Sequence, residues 1–312
     1  CERSLNVADQ KEKVIVIIGP TGVGKTALSI ELAKQYDAEI ISGDSIQVYR
    51  KLDIGSAKIK EEEKQGIIHH LIDVHDYQEE YNVREFQQRC RELITDIHHR
   101  GKMPIICGGT GLYIKAALYD YVFCEEKEDE EYLRFLESLH KDELYAALTI
   151  VDPKACETIH PNNVRRIIRA LMMAHSGQKK SERIESQQHV LLYDPFIIGL
   201  TMPRTSLYER IDQRVDLMMK EGLLDEVRSL ARDPRIWQCA GFKGIGYKEW
   251  RPYFEEKADV SECVEAIKKN SRNFAKRQYT WFRNQLEVQW YDVKEPNWKE
   301  QCMRQLQEWR KQ

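Results

Sequence analysis

Gly19, Gly24, Lys25 and Thr26 stand in the stretch GPTGVGKT, Gly19 to Thr26, at the spacing G-x-x-x-x-G-K-[ST]. That spacing builds an anion hole from backbone: successive N–H groups turn inward at a helix N-terminus whose dipole favours negative charge. Lys25 adds a mobile cation for a terminal phosphate, and the Thr26 hydroxyl is suited to ligate Mg²⁺. The pattern specifies phosphate and nothing beyond it. Any diphosphate or triphosphate fits, and the Asn-Lys-x-Asp signature that reads guanine is absent from the chain.

Two further stretches carry side chains fit for chemistry. In SGDSIQVYRKLDIGSAK, Ser42 to Lys58, Asp44 follows an apolar run and suits three roles: general base for an attacking amine, helix cap, or ligand to a magnesium-bound water. In CGGTGLY, Cys107 to Tyr113, Thr110 offers a hydroxyl among glycines that serve either a second backbone-lined pocket or a tight strand-to-helix turn.

The elements that must position these residues alternate in type. Val14 to Ile18, Ala38 to Ser42 and Met103 to Cys107 read as buried strands, with helices over Thr26 to Tyr36 and Val83 to Arg100. Alternation at this spacing predicts an α/β fold, a parallel sheet flanked by helices. Working loops of such sheets lie at the carboxyl ends of strands, where Gly19 to Thr26, Gly43 to Gln47 and Gly108 to Gly111 all fall. Residues 1–121 therefore read as the first part of the core. From 122 to 190 the β-branched runs vanish, and Leu133, Leu136, Leu144 and Leu148 space out helically, which predicts an inserted all-helical domain. Strand signal returns at Phe196 to Thr201, so 191–312 completes the core. Its helices run over Ser206 to Arg232 and Val260 to Arg283, before a short strand at Val288 to Tyr291.

With 312 residues and 42% hydrophobic content the chain can bury a proper core. Its eight cysteines form no C-x-x-C pair, which favours reduced thiols in a cytoplasmic protein over zinc or a disulfide framework. No run is long and apolar enough to span a bilayer, and Cys1 to Gln10 lacks the apolar centre of a signal peptide. A start at Cys1 leaves a short upstream segment open. Net charge is −3, against a protein built wholly around nucleic acid, yet charge is sorted by region. Glu125 to Glu131 (EEKEDEE) is acidic, whereas Lys268 to Arg283 (KKNSRNFAKRQYTWFR) holds six basic residues and no acid. Within the latter, Ile267, Phe274 and Trp281 recur every seven residues as a docking stripe that leaves the cations, Lys276 and Arg277 among them, outward for a phosphate backbone. Arg165, Arg166 and Arg169 share one side of a second helix, with Ile167, Ile168 and Leu171 on its packing side. Lys243 to Lys248 (KGIGYK) mixes glycines and cations with Tyr247, a combination suited to close approach and stacking on an exposed base.

Taken together and in order, GPTGVGKT, SGDSIQVYRKLDIGSAK, HHLIDV (His69 to Val74), GGTGLY, HPNNVRRIIRAL (His160 to Leu171), KGIGYKE (Lys243 to Glu249) and AKRQYTWFRN (Ala275 to Asn284) resemble one family, the tRNA dimethylallyltransferases. The resemblance spans residues 14–284. It implies a P-loop NTPase-like core that moves a dimethylallyl group from dimethylallyl diphosphate to N6 of adenosine 37 in the tRNA anticodon loop, releasing pyrophosphate. In that reading Thr21, Gly22, Val23, Gly24, Lys25 and Thr26 hold the diphosphate, with Mg²⁺ on Thr26 offsetting its charge and either Arg210 or, preferably, Arg214 reaching it. Asp44 then orients or deprotonates the amine, Thr110 lies near the reacting centre, and Ser45, Ile46 and Gln47 lie beside the base. The resemblance also places Arg165, Arg166, Ile167, Ile168, Arg169, Lys243, Tyr247, Lys248, Lys276 and Arg277 against an anticodon stem-loop bearing A36-A37-A38. The target base is extruded, the insertion and the C-terminal helices grip opposite sides, and Glu125 to Glu131 points away. A monomer is expected. Two rivals share the phosphate loop: a prenyltransferase acting on free adenylate, and a P-loop NTPase or kinase working as an RNA-binding switch.

Overall fold

In the computed structural model, which describes residues 11–123, 129–177, 179, 181–182 and 189–312, six strands form one parallel sheet. They are β1 (Lys13–Ile18), β2 (Ala38–Ser42), β3 (His69–His70), β4 (Met103–Gly108), β5 (Asp194–Thr201) and β6 (Gln289–Asp292), in the spatial order β3-β2-β4-β1-β5-β6. Residues of β1 are buried on both faces and alternate between two cores. Val14, Val16 and Ile18 join one, and Ile15 and Ile17 the other. That is why the strand reads as an unbroken apolar run rather than an alternating one. Truncating such a residue, as in Ile17→Ala, costs roughly 2–5 kcal/mol.

Helices cover both faces. Phe86, Cys90, Ile94 and Ile97 of α2 (Val83–His99), Ile114 and Leu118 of α3 (Gly111–Leu118) and Ile267 and Phe282 of a long helix near the C-terminus pack the first core. Leu28 and Leu32 of α1 (Lys25–Tyr36) pack the second. The chain divides into two compact units, Asp120–Val190 and the remainder. Within the smaller unit, α4 (Glu130–Ser138), α5 (Lys141–Val151) and α6 (Val164–His175) close over Leu136, Leu144, Leu148, Ile159, Ile167 and Leu171.

In the larger unit the helix-rich stretch expected over Ser206 to Arg232 is two helices, α7 (Arg204–Lys220) and α8 (Leu223–Leu230). Gly222 separates them with φ 96°, a left-handed conformation glycine adopts without the steric penalty of a Cβ. The helix near the C-terminus is α9 (Val260–Gln285), capped by Asp259, whose side chain accepts from the Glu262 N–H; α10 (Trp298–Lys311) follows β6. Among the described residues no helix is long and apolar enough to cross a membrane. Glu125 to Glu128, most of the acidic run, lies outside the described residues.

Candidate functional site

The sheet reverses direction of growth between β1 and β4: the chain passes from β1 out to β2 and β3, returns to β4, then crosses to β5 on the far side of β1. Ligands of open parallel sheets sit at such a switch point, beyond the carboxyl ends of the strands. Register makes the ends level there. Ile18 of β1 pairs with Gly108 of β4, and Ser42 of β2 with Cys107. The three loops singled out in the sequence therefore emerge side by side.

The phosphate loop leads straight into α1, with Gly24 at φ 107° as its N-cap. Lys25 donates to the carbonyls of Gly19 (3.0 Å) and Pro20 (2.8 Å), which folds its ammonium back over the loop. Burial lowers the Lys25 pKa to about 8; neighbouring Cys107 and Asp44 raise it and Arg214 lowers it. Thr26 is exposed at the start of α1, and the Val23 side chain is buried in the second core, so only its backbone is left to face a ligand. Arg214 of α7 donates to the Thr21 hydroxyl (3.3 Å) and to the Ala57 carbonyl (3.4 Å). Burial lowers its pKa, and Asp44 opposes the shift. Arg210, one turn earlier, is exposed. Of the two arginines, Arg214 is the one that touches the loop.

Asp44 takes one of its expected roles, that of a cap. Oδ1 accepts from the N–H groups of Ile46 (2.8 Å) and Gln47 (3.3 Å), capping the turn that follows, while Oδ2 takes no part in that cap. Thr110 Oγ1 accepts from the Ser45 N–H (3.2 Å) and lies 3.4 Å from the Ser45 hydroxyl, so the two loops meet at the hydroxyl the sequence flagged. Gln47 is committed within the protein. Its amide donates to the Ser56 and Ala57 carbonyls, both at 3.3 Å, and holds the loop that Arg214 also touches. The glycines around Thr110 permit close approach of α9. A Cβ on Gly109 would lie 2.2 Å from Gln278 Nε2, and one on Gly111 2.2 Å from the Trp281 ring.

Gln278 was not legible as a site residue. It is buried on α9, accepts the Thr21 N–H through Oε1 (3.2 Å) and donates to the Gly109 carbonyl through Nε2 (2.9 Å). Glu226 is the other omission. Its carboxylate accepts the N–H groups of Asp53, Ile54 and Gly55 and the Tyr247 hydroxyl (2.7 Å), organising the loop between Asp53 and Ala57. The signals were a polar residue four before the buried Phe282, and an acid in α8 beside an apolar stripe. Beside Arg214 opens a cavity of about 470 Å³ whose lining combines Ile54, Ile59, Leu217 and Met218 with Lys58, Lys60 and Lys64 and five acids, Asp53, Glu61, Glu63, Asp73 and Glu221.

Several residues expected on a nucleic-acid face are elsewhere. Tyr247 is fully buried, its ring filling the space over Gly55 and its hydroxyl bridging Glu226 and the Ser56 N–H, so it cannot stack on an external base. Ile167 is buried in the core of the smaller unit and Ile168 is packed against it, because helical spacing turns them away from the arginines. Lys268 and Arg272 do not point freely outward: they pair with Asp216 and Asp212 of α7. The buried stripe of α9 runs through Cys263, Ile267, Ala275, Gln278 and Phe282, which leaves Phe274 and Trp281 at its edges.

The exposed cations remain. In the larger unit Lys243 and Lys248 are exposed, and Lys276 and Arg277 line a groove of about 460 Å³ with Asn273, Thr280, Trp281 and Asn284. In the smaller unit Arg165, Arg166 and Arg169 are exposed on α6. Arg165 and Arg166 occupy the first turn, which lacks acids and where the helix dipole already places positive charge. That is unfavourable for an isolated helix and favourable for one that meets a phosphate.

A family model described as IPP transferase matches residues 47–285. A tRNA dimethylallyltransferase of Anoxybacillus flavithermus is 51% identical over 283 residues, covering 90% of this chain and 91% of that protein. Its counterpart in Bacillus subtilis is 50% identical over 291 residues, covering 92% of each. Among solved structures, a tRNA isopentenylpyrophosphate transferase of Staphylococcus epidermidis superposes with a TM-score of 0.71 at 39% identity, covering 96% of this chain and 99% of that one. A eukaryotic dimethylallyltransferase captured acting on tRNA gives 0.79 at 35% identity, covering 90% and 74%.

Proposed function

The chain belongs to the IPP transferase family, and from that premise we propose that it transfers a dimethylallyl group from dimethylallyl diphosphate to N6 of adenosine 37 in tRNA. The observation that carries the mechanism is the grouping of an acid, Asp44, with two desolvated cations, Lys25 and Arg214, at the lip of a phosphate loop. Cations suit the leaving group and the acid suits the proton of the nucleophile.

The loop N–H groups, Lys25 and Arg214 hold the diphosphate oxygens, so negative charge that grows as the allylic C–O bond breaks meets preorganised donors. N6 attacks the allylic carbon, the N–C bond forms, and pyrophosphate leaves. The displaced N6 proton passes to Asp44 Oδ2, which the cap leaves unused. Thr110 keeps Asp44's loop seated against β4 through Ser45. The cavity beside Arg214 has a largely charged lining, in which Ile54, Ile59, Leu217 and Met218 are the apolar side chains an isoprenoid tail would meet.

Mg²⁺ fits this donor set. Magnesium is commonly bound by one or two carboxylates together with substrate phosphates, and the described residues hold no cluster of three His, Cys, Asp or Glu that would cage it without them. Thr26 would hold it together with the diphosphate oxygens, and when bound it supplies charge neutralisation on the leaving group. We place the enzyme in the cytoplasm as a monomer, with each unit presenting exposed arginines or lysines to the RNA.

The test is incubation with dimethylallyl diphosphate, Mg²⁺ and an unmodified anticodon stem-loop bearing A36-A37-A38, read by mass. Gain of one isoprenyl unit is expected. No gain, or equal transfer onto AMP, overturns the reading, and hydrolysis of ATP or GTP in its place would favour the NTPase alternative.

A further inference from the structure

Nothing in the prenyl-transfer chemistry uses Gln278, yet its side chain is the one direct polar bridge, among the described residues, between the helix that carries Lys276 and Arg277 and the loop that would hold the diphosphate. Its amide orientation follows from its partners. The Thr21 N–H can only donate and so takes Oε1, at 3.2 Å; the Gly109 carbonyl can only accept and so takes Nε2, at 2.9 Å. Only 6% of Gln278 is exposed, and Gly109 approaches so closely that no Cβ would fit there. Three residues on, Trp281 packs onto Gly111 just past Thr110. One rigid helix therefore touches the entry of the phosphate loop and both ends of the Thr110 turn.

We propose that Gln278 is a positioning residue that couples RNA docking on α9 to the shape of the diphosphate cradle. This rests on the transferase reading, since it takes the exposed face of α9 as the RNA contact. Lys276 and Arg277 are exposed immediately before Gln278, so an RNA backbone seated on them loads the same helical turn from outside. Movement of that turn reaches the Thr21 N–H on one side and the Gly109 carbonyl on the other. The hydroxyl of Thr21 meanwhile accepts from Arg214, at 3.3 Å, so the loop entry is anchored from two helices, α9 and α7. Coupling of this kind is reciprocal: RNA tightens diphosphate binding by the same factor as diphosphate tightens RNA binding.

The experiment is calorimetric titration of pyrophosphate with Mg²⁺, with and without the unmodified stem-loop, on wild type, Gln278→Met and Gln278→Glu. In wild type the stem-loop should tighten pyrophosphate roughly tenfold, within the usual range of coupling between sites. In Gln278→Met, which keeps length and loses both hydrogen bonds, that ratio should collapse to about one while stem-loop affinity alone changes less than about threefold. Gln278→Glu retains the acceptor for Thr21 but sets a carboxylate oxygen against the Gly109 carbonyl, and should lose the ratio as well. It also serves as the second probe if the methionine variant does not fold. A role in packing alone would weaken binding equally with and without RNA, and that result overturns the proposal. So does a ratio near one in wild type, or a wild-type ratio in either variant. Wild type that transfers the isoprenyl group while the variants keep their coupling removes only this inference. Wild type that neither binds the stem-loop nor modifies it removes the transferase reading with it.

Discussion

Asp44 is asked to do two things with two oxygens, and Asp44→Asn separates them. Oδ1 caps the turn by accepting from Ile46 and Gln47, an arrangement asparagine reproduces with its own Oδ1. Oδ2 becomes an NH₂ group, which cannot take a proton. Asp44→Asn should therefore melt within about 1 °C of wild type, while Asp44→Ala, which loses the cap, gives up about 1 kcal/mol, or roughly 2–4 °C in a unit of this size. Both variants should lose about 10²- to 10⁴-fold in kcat, the range for a positioned general base, equivalent to about 3–5 kcal/mol of barrier. Pyrophosphate affinity carries the discriminating information. Asp44 raises the pKa of Lys25 and opposes the lowering at Arg214, so it is close enough to offset their positive field. Removing its charge should leave metal-free pyrophosphate binding unchanged or tighter. Single-turnover transfer under saturating diphosphate, pyrophosphate calorimetry with and without Mg²⁺, and thermal melts supply the three readings. Asp44→Asn with more than a tenth of wild-type kcat removes the base. A kcat loss accompanied by an equal loss of Mg²⁺-dependent pyrophosphate affinity would reassign Asp44 to the metal.

Lys25, whose pKa burial lowers to about 8, is charged below that pH and neutral above it, so diphosphate affinity should be full near pH 7 and fall about tenfold by pH 9. Lys25→Met should bind weakly and lose that step; a flat wild-type profile across pH 7–9 would contradict the burial argument. Tyr247→Phe removes both hydrogen bonds of a buried hydroxyl and should cost about 1–3 kcal/mol of stability, read by melting. An unchanged melt with a tenfold loss of stem-loop affinity would instead return Tyr247 to the RNA face. Lys276→Ala and Arg277→Ala should each lower the slope of log affinity against log salt by just under one, with pyrophosphate binding in the absence of RNA unaltered; an unchanged slope excludes the groove on α9 as a phosphate contact.

The strands that position the site were legible because burial on both faces forces unbroken apolar runs, as in Val14 to Ile18, and because the loops that matter follow directly from strand ends. The edge strand was not. His69–His70 is two residues long and half-buried, too short to carry any period, and among the described residues it pairs with β2 alone. Tyr247 shows how a local rule fails: an aromatic residue among glycines suits a base-stacking surface and a packing site equally well. Here Gly55 leaves room for the ring, and Glu226, distant in sequence, satisfies the hydroxyl. Gln278 and Glu226 escaped for a related reason. Their partners are backbone groups of other segments, and a backbone N–H or carbonyl has no residue type by which a sequence could announce it.

The same limit explains why the phosphate loop alone could not name its ligand. Backbone N–H groups and Lys25 respond to oxygens and charge, which a prenyl diphosphate and a nucleoside triphosphate share. Discrimination has to come from the walls. Arg214 joins the loop to a cavity whose lining sets Ile54, Ile59, Leu217 and Met218 among three lysines and the acids Asp53, Glu61, Glu63, Asp73 and Glu221, so those acids would repel a further phosphate there while the four apolar side chains give an isoprenoid tail its contacts. The Thr110 turn on the other side is closed by Gln278 and Trp281 against its glycines, which restricts what enters from there to a group that α9 admits. On the proposed reading the substrates are therefore sorted by the two helices that meet the loop: α7 through Arg214 for the donor, and α9 through Gln278 for the RNA acceptor.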